Sequence, residues 1–373
     1  MNHILPRFPT PHPQPPQKSD AALRIAFITV GDTKRLTGGY LYNARVIAGL
    51  RQAGIEVEEM VASGAAPKDQ AASRFDLDAG RFDVVVVDAL ARVACAPHLD
   101  RWRETLPVVA MVHELPSVAT GDARERTFEE PLLRVDLLVT VSDHGASILT
   151  GRGVPAGRVR VVPPGLDRLP PPRFGGEPSV HDGASVRVLC VAQWIPRKGI
   201  LDLVQAWMAR KRPNAVLELI GETDADPGYA ASVRAAAAKS SGSSVVVRGP
   251  VDDATLARAY AAADLFALPS HFEGYGVVYA EALAHGLPVL ACDVGPVPEL
   301  VGGEAVLLVP PGDVGALSEA LSLLLGDAAR RRRMSGAAKR RAACLTRWED
   351  AVAGFRRVLR EAVEARRGEA SSL

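Results

Sequence analysis

The amino-acid sequence predicts an α/β fold of two Rossmann-like, doubly wound parallel-sheet domains that face each other across a cleft. Short runs of β-branched residues alternate with helical stretches almost throughout, which is typical of sheets built from strand–helix–strand units. Residues 166–185 break this alternation with proline, glycine and serine. The length of 373 residues suits two domains of roughly 150 to 200 residues each. Because such domains bind ligands beyond the carboxyl ends of their strands, we expect the functional site between them.

Two series of strands are predicted, one on each side of the segment 166–185. The first series comprises 24–30, 55–61, 83–88, 107–112, 137–141 and 158–162, and the second comprises 187–192, 215–220, 244–248, 265–268, 288–291 and 305–309. Helices are predicted at 39–53 and 144–151, and from about residue 313 onward.

The limits of the domains follow from these patterns. Residues 1–21 are expected to form a disordered, proline-rich arm, 22–165 the first domain, 166–185 a linker and 186–347 the second domain. A final helix at 348–373 is expected to cross back onto the first domain.

The charge balance argues against nucleic acid as a partner. Lys and Arg number 44 against 43 acidic residues, a net charge of +1, so an anionic ligand must be held locally. The basic cluster at 330–333 and 339–341 is predicted to be a solvated helix face, with weak peripheral contact to a membrane as the alternative. No apolar run reaches the roughly 18 residues that a membrane-spanning helix requires.

The four cysteines, Cys95, Cys190, Cys292 and Cys344, are too dispersed for a zinc site or a disulfide framework. They contain no CxxC pair and are predicted to be reduced core residues. The first twenty residues also lack the apolar run of a signal peptide, so we expect a cytoplasmic protein.

The most informative stretch is 265–289, which is predicted to be a strand, a glycine-containing loop, a helix and the next strand. Glu273 lies in the loop directly before a Gly-Tyr-Gly triplet, and Glu281 lies on the helix. Glycines allow a ligand close to the backbone, and the free amides at a helix start favour an anion such as pyrophosphate. Carboxylates accept hydrogen bonds from sugar and ribose hydroxyls. The stretch therefore fits a nucleotide-sugar.

Other glycine and polar residues also follow predicted strands, at the sheet edge where a ligand cleft belongs. They are Gly38 and Gly39, His113 and Glu114, Ser142 and Asp143, and Arg197 and Lys198. The glycine pair is not the GxGxxG dinucleotide fingerprint, because the loop between strand and glycine is too long. We interpret Lys198 as a point charge for a diphosphate, and Ser142 and Asp143 as acceptor-side residues.

The stretch 265–289 resembles the donor-binding motif of the retaining GT-B glycosyltransferases of family four, glycosyl transferases group 1. That motif has two glutamates separated by seven residues, as Glu273 and Glu281 are, and residues 284–289 match its small-residue, glycine and proline ending. The resemblance implies that Glu273 contacts the donor hexose near the reaction centre and that Glu281 contacts the nucleotide ribose. It also implies that the amides of Gly274, Tyr275 and Gly276 hold phosphate oxygens.

The same resemblance extends to the other loops. It implies that the backbone of Gly38 and Gly39 lies near the donor phosphate and that His113 lies beside the reacting sugar. Together with Lys198 on the leaving diphosphate, Glu273 and His113 form the implied catalytic set.

One position departs from the family pattern. Similar enzymes often carry an arginine five residues before the lysine, where this chain has Gln193. The departure implies that Lys198 carries more of the charge compensation, or that Arg197 or Arg248 substitutes.

The reaction implied by the resemblance is transfer of a hexosyl group from a nucleotide-sugar to an acceptor hydroxyl, with retention of configuration and without metal or separate cofactor. Asp224 and Asp226 resemble the metal-binding pair of the other glycosyltransferase fold, but their loop position predicts a turn and a helix cap. A nucleotide-sugar epimerase, a glycosyl phosphorylase and a non-catalytic nucleotide-sugar-binding protein stay open as alternatives. The donor base, the hexose and the acceptor depend on pocket shape, which no motif specifies.

Overall fold

Two parallel sheets with helices packed on them make up the computed structural model, which confirms the predicted fold class. The structure describes residues 23–31, 33, 37–62, 70, 72–166, 185–212, 214–240 and 245–371. The arm predicted at 1–21 and nearly all of the linker predicted at 166–185 lie outside the described residues.

The first sheet has the strand order β2-β1-β3-β4-β5-β6, and all of its pairs are parallel. Its strands are β1 Arg24–Val30, β2 Glu56–Ala62, β3 Val84–Asp88, β4 Val108–Val112, β5 Leu137–Thr140 and β6 Val159–Val161. Every residue of β3 and β4 is buried, because strands in the middle of a parallel sheet are covered on both faces. This explains why their sequences are apolar, with Asp88 at the end of β3 as the exception.

The second sheet has the order β12-β11-β10-β7-β8-β9 and is likewise parallel. Its strands are β7 Val186–Val191, β8 Ala215–Ile220, β9 Val245–Gly249, β10 Leu265–Leu268, β11 Val289–Cys292 and β12 Val306–Val309. Since β7 and β10 are neighbours, the loops that follow them lie side by side. In both sheets the predicted strand limits agree with the observed ones to within one residue.

The helices of the first domain are α1 Gly38–Gln52, α2 Arg92–Cys95, α3 Leu99–Thr105, α4 Pro116–Ala119, α5 Arg126–Leu133 and α6 Asp143–Gly151. Those that follow are α7 Ile200–Met208, α8 Pro227–Ala238, α9 Asp253–Ala262, α10 Val277–Ala284, α11 Val297–Val301, α12 Val314–Gly326, α13 Ala328–Ala342 and α14 Trp348–Ser371. Single 3₁₀ turns occupy Ala89–Ala91, Ala123–Glu125, Ala156–Arg158 and Pro196–Lys198. Helices α1 and α6 each begin one residue earlier than predicted.

The last helix, α14, packs against the first sheet. Phe355 and Leu359 are fully buried in one cluster with Ile25 and Phe27 of β1 and with Tyr42 of α1. The final helix therefore completes the core of the first domain on this face of the sheet.

Three of the four cysteines are buried, and burial raises the pKa of Cys190 and Cys292 to about 12. The prediction for Cys344 is wrong, because this residue is exposed. It lies in the turn between α13 and α14, outside the hydrophobic core, and its thiol lies 3.6 Å from the carbonyl oxygen of Arg340.

Several arginines of the basic cluster fasten α13 to its neighbours. Arg341 donates to the carbonyls of Glu299 and Leu300 at 2.8 and 2.9 Å, and Arg340 pairs with Glu304 at 2.8 Å. Two cations of the cluster are therefore engaged within the protein itself.

The contact between α1 and α14 gives a testable prediction. A Cβ at Gly49 would lie 2.4 and 2.9 Å from the two Cγ atoms of Val352. Alanine is favoured over glycine inside a helix by about 1 kcal/mol, but overpacking costs about 1 to 3 kcal/mol. Gly49→Ala should therefore lower the free energy of unfolding, by about 1 kcal/mol in urea denaturation.

The matched control removes the two closest atoms of Val352. In a Val352→Ala background both Cγ atoms are gone and the nearest atom is the remaining Cβ of residue 352, at 3.2 Å. Gly49→Ala should then destabilise the protein less than in the unchanged chain, because the gain in helix propensity offsets the smaller clash. Stabilisation by Gly49→Ala in the otherwise unchanged chain would contradict this packing of α14.

Candidate active site

A cavity of about 460 Å³ lies between the two domains, at the carboxyl ends of both sheets. Its lining includes most of the residues singled out from the sequence: Gly38, Gly39 and His113 from the first domain, and Arg197, Lys198, Glu273, Gly274, Tyr275, Gly276 and Glu281 from the second. The fold therefore brings these predicted residues together in one cavity, although Gly38 and Glu281 lie far apart in the sequence.

Glu273 and Lys198 form an ion pair at the wall of this cavity. The Lys198 ammonium donates to both carboxylate oxygens, at 2.7 and 2.8 Å, and Ser270 Oγ donates to Oε1 at 2.7 Å. Glu273 is 3% exposed, so its charge is largely removed from water and depends on these donors.

The approach of two loops makes this pair possible. Gly199 follows Lys198 with a φ of 64°, and a Cβ there would lie 2.1 Å from the carbonyl oxygen of Pro269. Only glycine allows the loop after β7 to lie so close to the loop after β10. Lys198 and Glu273 are thereby fixed opposite each other.

The Gly-Tyr-Gly triplet connects Glu273 to α10. Gly276 precedes the helix with a φ of 95°, and a Cβ at Gly274 would lie 2.5 Å from the carbonyl oxygen of His113 in the other domain. Burial raises the pKa of Tyr275 to about 12, so its phenol is neutral. The first turn of α10, from Val277, lies on the cavity with the unpaired amides and positive dipole end that suit an anion.

Glu281 lies one turn further along α10 and is almost completely buried. The hydroxyl of Tyr260 donates to its Oε2 at 3.0 Å, and the Tyr260 ring stacks on His285 at 5.1 Å. Tyr260 is a positioning residue that sequence reasoning missed, because a tyrosine on the apolar face of a helix looks like ordinary core.

His113 follows β4 on the first-domain side of the cavity. Its Nε2 lies 3.0 Å from Asn43 Oδ1, and its ring meets Tyr42 edge-on at 5.2 Å. Burial lowers the pKa of His113, opposed by the charges of Asp88 and Glu114. The imidazole is therefore neutral at pH 7, and a Cβ at Gly39 would approach it to 3.2 Å.

The structure separates the two cations considered as substitutes at Gln193. Arg197 lines the cavity, reaches the Phe272 carbonyl at 3.4 Å and pairs with Glu114 across the cleft at 3.3 Å. Arg248 instead pairs with Glu218 and takes no part in the lining, which corrects that alternative. Gln193 stands where the family pattern has an arginine, and its amide donates to the carboxylate of Glu222 at 2.9 Å. The neighbour of this position is therefore acidic.

Ser142 and Asp143 do not line the cavity. The Ser142 hydroxyl caps α6 by accepting from the Gly145 amide at 3.0 Å, and it donates to the Gly274 carbonyl at 3.0 Å. Ser142 thus links the two domains beside Glu273. An acceptor-side role for Ser142 and Asp143 stays a prediction.

Asp226 caps α8, as predicted, by accepting from the Tyr229 amide at 2.9 Å. Within the described ranges no three His, Cys, Asp or Glu side chains are grouped closely enough to hold a metal ion. The same part of the chain contains no helix long and apolar enough to cross a membrane.

Two family models match the chain. The model of glycosyl transferases group 1 matches residues 185–327, and the model of glycosyltransferase family 4 matches residues 63–168. The chain belongs to the family-four, group 1 glycosyltransferases. Together the two matches cover the loops that form the cavity, apart from the loop at Gly38 and Gly39.

Curated relatives of this glycosyltransferase family member include the MMP α-(1→4)-mannosyltransferase of Mycolicibacterium hassiacum, 32% identical over 270 residues. That match covers 66% of this chain and 63% of the relative. The D-inositol 3-phosphate glycosyltransferase of Nocardia farcinica is 32% identical over 267 residues, which are 63% of this chain and 56% of the relative. The chain thus spans somewhat over half the length of these relatives.

Solved structures confirm the GT-B fold. Sucrose-phosphate synthase of Thermosynechococcus elongatus matches with a TM-score of 0.74 and 23% identity, over 92% of this chain and 99% of that one. Anabaena HepE in complex with UDP and glucose matches with a TM-score of 0.69 and 19% identity, over 94% of this chain and 100% of that one.

The Lys198–Glu273 pair gives a prediction on stability. Lys198→Met should lower the free energy of unfolding by about 3 kcal/mol, because it leaves a buried carboxylate without its counter-charge. Adding Glu273→Gln should restore most of the loss, since a neutral amide still bonds with Ser270 and carries no charge. Denaturant titration of the single and double variants checks this, and equal stability of the two would contradict a buried, coupled pair.

Proposed function

We propose that this protein transfers a hexosyl group from a nucleoside-diphosphate sugar to an acceptor hydroxyl, with retention of anomeric configuration and without a metal ion. The observation that carries the proposal is the order of groups along one cavity wall. Going back along the chain, a buried carboxylate on α10 is preceded by the first turn of that helix and then by a second buried carboxylate, which is paired with a lysine.

Each part of the donor has a matching group in this order. Glu281, held by Tyr260, suits the ribose hydroxyls, and the first amides of α10 together with Lys198 suit the diphosphate. Glu273, next to Lys198, then falls beside the hexose. Because an ammonium has three N–H groups and Glu273 occupies two of them, Lys198 keeps one for a phosphate oxygen.

The names of the relatives support a nucleotide-sugar donor without selecting its base. One relative, from Corynebacterium glutamicum, is named a GDP-mannose-dependent mannosyltransferase, whereas the Anabaena HepE structures hold UDP with glucose or UDP-glucose. Mannosyl and glucosyl donors, with guanine or uracil, are therefore the first to test.

Glu273 is held in a way that favours a single front-face step over a covalent glycosyl–enzyme intermediate as the route to retention. Its two oxygens are already engaged by Lys198 and Ser270, which suits a fixed negative charge beside a developing positive anomeric carbon better than a nucleophile. In the proposed step the acceptor oxygen bonds to the anomeric carbon on the face from which the diphosphate leaves. The acceptor proton passes to the leaving phosphate oxygen, whose charge Lys198 and the α10 amides stabilise.

The reaction itself is the first test. The purified chain, incubated with UDP-glucose or GDP-mannose and a panel of hydroxyl acceptors in excess EDTA, should form a glycoside with the anomeric configuration of the donor. Proton NMR of the product reads that configuration. The physical reason for metal independence is that lysine and backbone amides compensate the diphosphate charge.

Three outcomes would contradict parts of this proposal. Activity that EDTA abolishes and magnesium or manganese restores would refute metal independence, and an inverted product would refute retention. Formation of an epimer or a sugar phosphate, with no glycoside, would move the chain to one of the alternative reactions.

A second prediction separates the two glutamates with matched isosteric changes. Glu281→Gln should weaken binding of UDP or GDP about 10-fold, the loss of one charged hydrogen bond to ribose. Glu273→Gln should leave this affinity unchanged or higher, because it frees Lys198 for the diphosphate, but should lower turnover on the order of 100-fold. Calorimetry and steady-state kinetics measure the two effects.

The reverse pattern would exchange the roles of Glu273 and Glu281 along the donor. Tyr260→Phe is the control for Glu281, because it removes only the hydroxyl that holds this carboxylate. It should weaken nucleotide binding less than Glu281→Gln does, and leave turnover at saturating donor unchanged.

A further inference from the structure

A buried chain of hydrogen bonds leads from the first sheet to His113. Asp88, the last residue of β3, is fully buried, and its carboxylate accepts from Thr29 Oγ1 at 2.8 Å, Asn43 Nδ2 at 2.6 Å and the Leu90 amide at 3.0 Å. These three hydrogen bonds compensate the carboxylate for the water that it loses on burial.

The carboxylate fixes the orientation of the Asn43 amide. Only the NH₂ group of Asn43 bonds favourably with Asp88, because the amide oxygen in that place would face another acceptor. The amide oxygen therefore points to His113 Nε2, at 3.0 Å. An acceptor at this distance requires a proton on Nε2.

The second ring nitrogen is then an acceptor. Since the imidazole is neutral and Nε2 carries its proton, Nδ1 has the free lone pair. Among the described residues Nδ1 has no hydrogen-bond partner, while His113 lines the cavity between the domains.

We propose that Asp88 and Asn43 are positioning residues that hold His113 in the Nε2–H tautomer, so that its Nδ1 accepts a hydrogen bond from a sugar hydroxyl of the substrate. The part that concerns the sugar rests on the proposed transferase function. The tautomer itself follows from the hydrogen-bond order together with the neutrality of the buried ring. A purely structural histidine would not need a buried carboxylate at the far end of two hydrogen bonds. A neutral side-chain amide in the place of Asp88 would fill the same space at a lower desolvation cost.

The test uses Asp88→Asn in the full chain. An amide at this position keeps the Leu90 bond only if its oxygen faces Leu90, so its NH₂ faces Thr29 and Asn43. The Asn43 amide must then turn over and present its NH₂ to His113 Nε2, which moves the ring proton to Nδ1. NMR of histidine labelled with ¹³C and ¹⁵N distinguishes the two tautomers, and the His113 signal is assigned as the one missing from His113→Gln.

The expected result is an Nε2–H ring in the unchanged protein and an Nδ1–H ring in Asp88→Asn. Turnover of the nucleotide-sugar should fall about 10-fold, the size of one lost hydrogen bond, with affinity for UDP or GDP unchanged. Thr29→Val is the matched control: it also removes one bond to Asp88, but it leaves Asn43 in place and should keep the Nε2–H tautomer.

Other outcomes separate the two hypotheses. An Nδ1–H or protonated ring in the unchanged protein, or a tautomer that Asp88→Asn does not alter, would overturn the positioning role. So would an altered tautomer with unaltered turnover. An unchanged protein that shows the Nε2–H ring but transfers no sugar would refute the proposed function and leave the assignment of the tautomer standing.

Discussion

The contact between Lys198 and Glu273 is the interaction on which the rest of the cavity depends. It joins the loops after β7 and β10, the two central neighbours of the second sheet, and it does so inside a wall that excludes most water. The close passage of Gly199 under Pro269 makes the contact geometrically possible, and Ser270 completes the coordination of the carboxylate. A charge that is already compensated before any ligand arrives needs little reorganisation when one does, which is the condition for strong electrostatic stabilisation.

The cleft is also held by contacts that cross between the domains. Arg197 meets Glu114, the Ser142 hydroxyl meets the Gly274 carbonyl, and the absence of a side chain at Gly274 lets that loop reach the backbone of His113. Ser142 and Gly274 lie directly beside the Glu273 loop. The relative position of the domains and the position of the central carboxylate are therefore set by the same few atoms, so that opening the cleft would also disturb the cavity wall.

Much of this arrangement could be predicted from the sequence. The strands were predictable because buried parallel strands such as β3 and β4 are mostly short apolar runs. The placement of Glu273 and Glu281 was predictable because a single strand–loop–helix unit contains both. Contacts between distant segments were not. The pairing of Lys198 with Glu273, the Tyr260 hydroxyl on Glu281, and the order Asp88, Asn43, His113 each join residues whose separation follows no period. The predictions for Arg248 and Cys344 were wrong for the same reason, because the burial and the partners of a side chain depend on the packing around it.

Helix α14 has a consequence for the order in which the protein can fold during synthesis. Its side chains cover β1 and α1, the earliest elements of the described chain, although it is the last helix of that part of the chain to be synthesised. Until then one apolar face of the first sheet lacks its cover, so the usual rule that the N-terminal domain folds first does not apply in full. The second sheet is built from one uninterrupted stretch of sequence and meets no such delay. The nascent chain would thus carry a finished C-terminal domain beside an incomplete N-terminal one, and closure of that long-range contact would be the slow step.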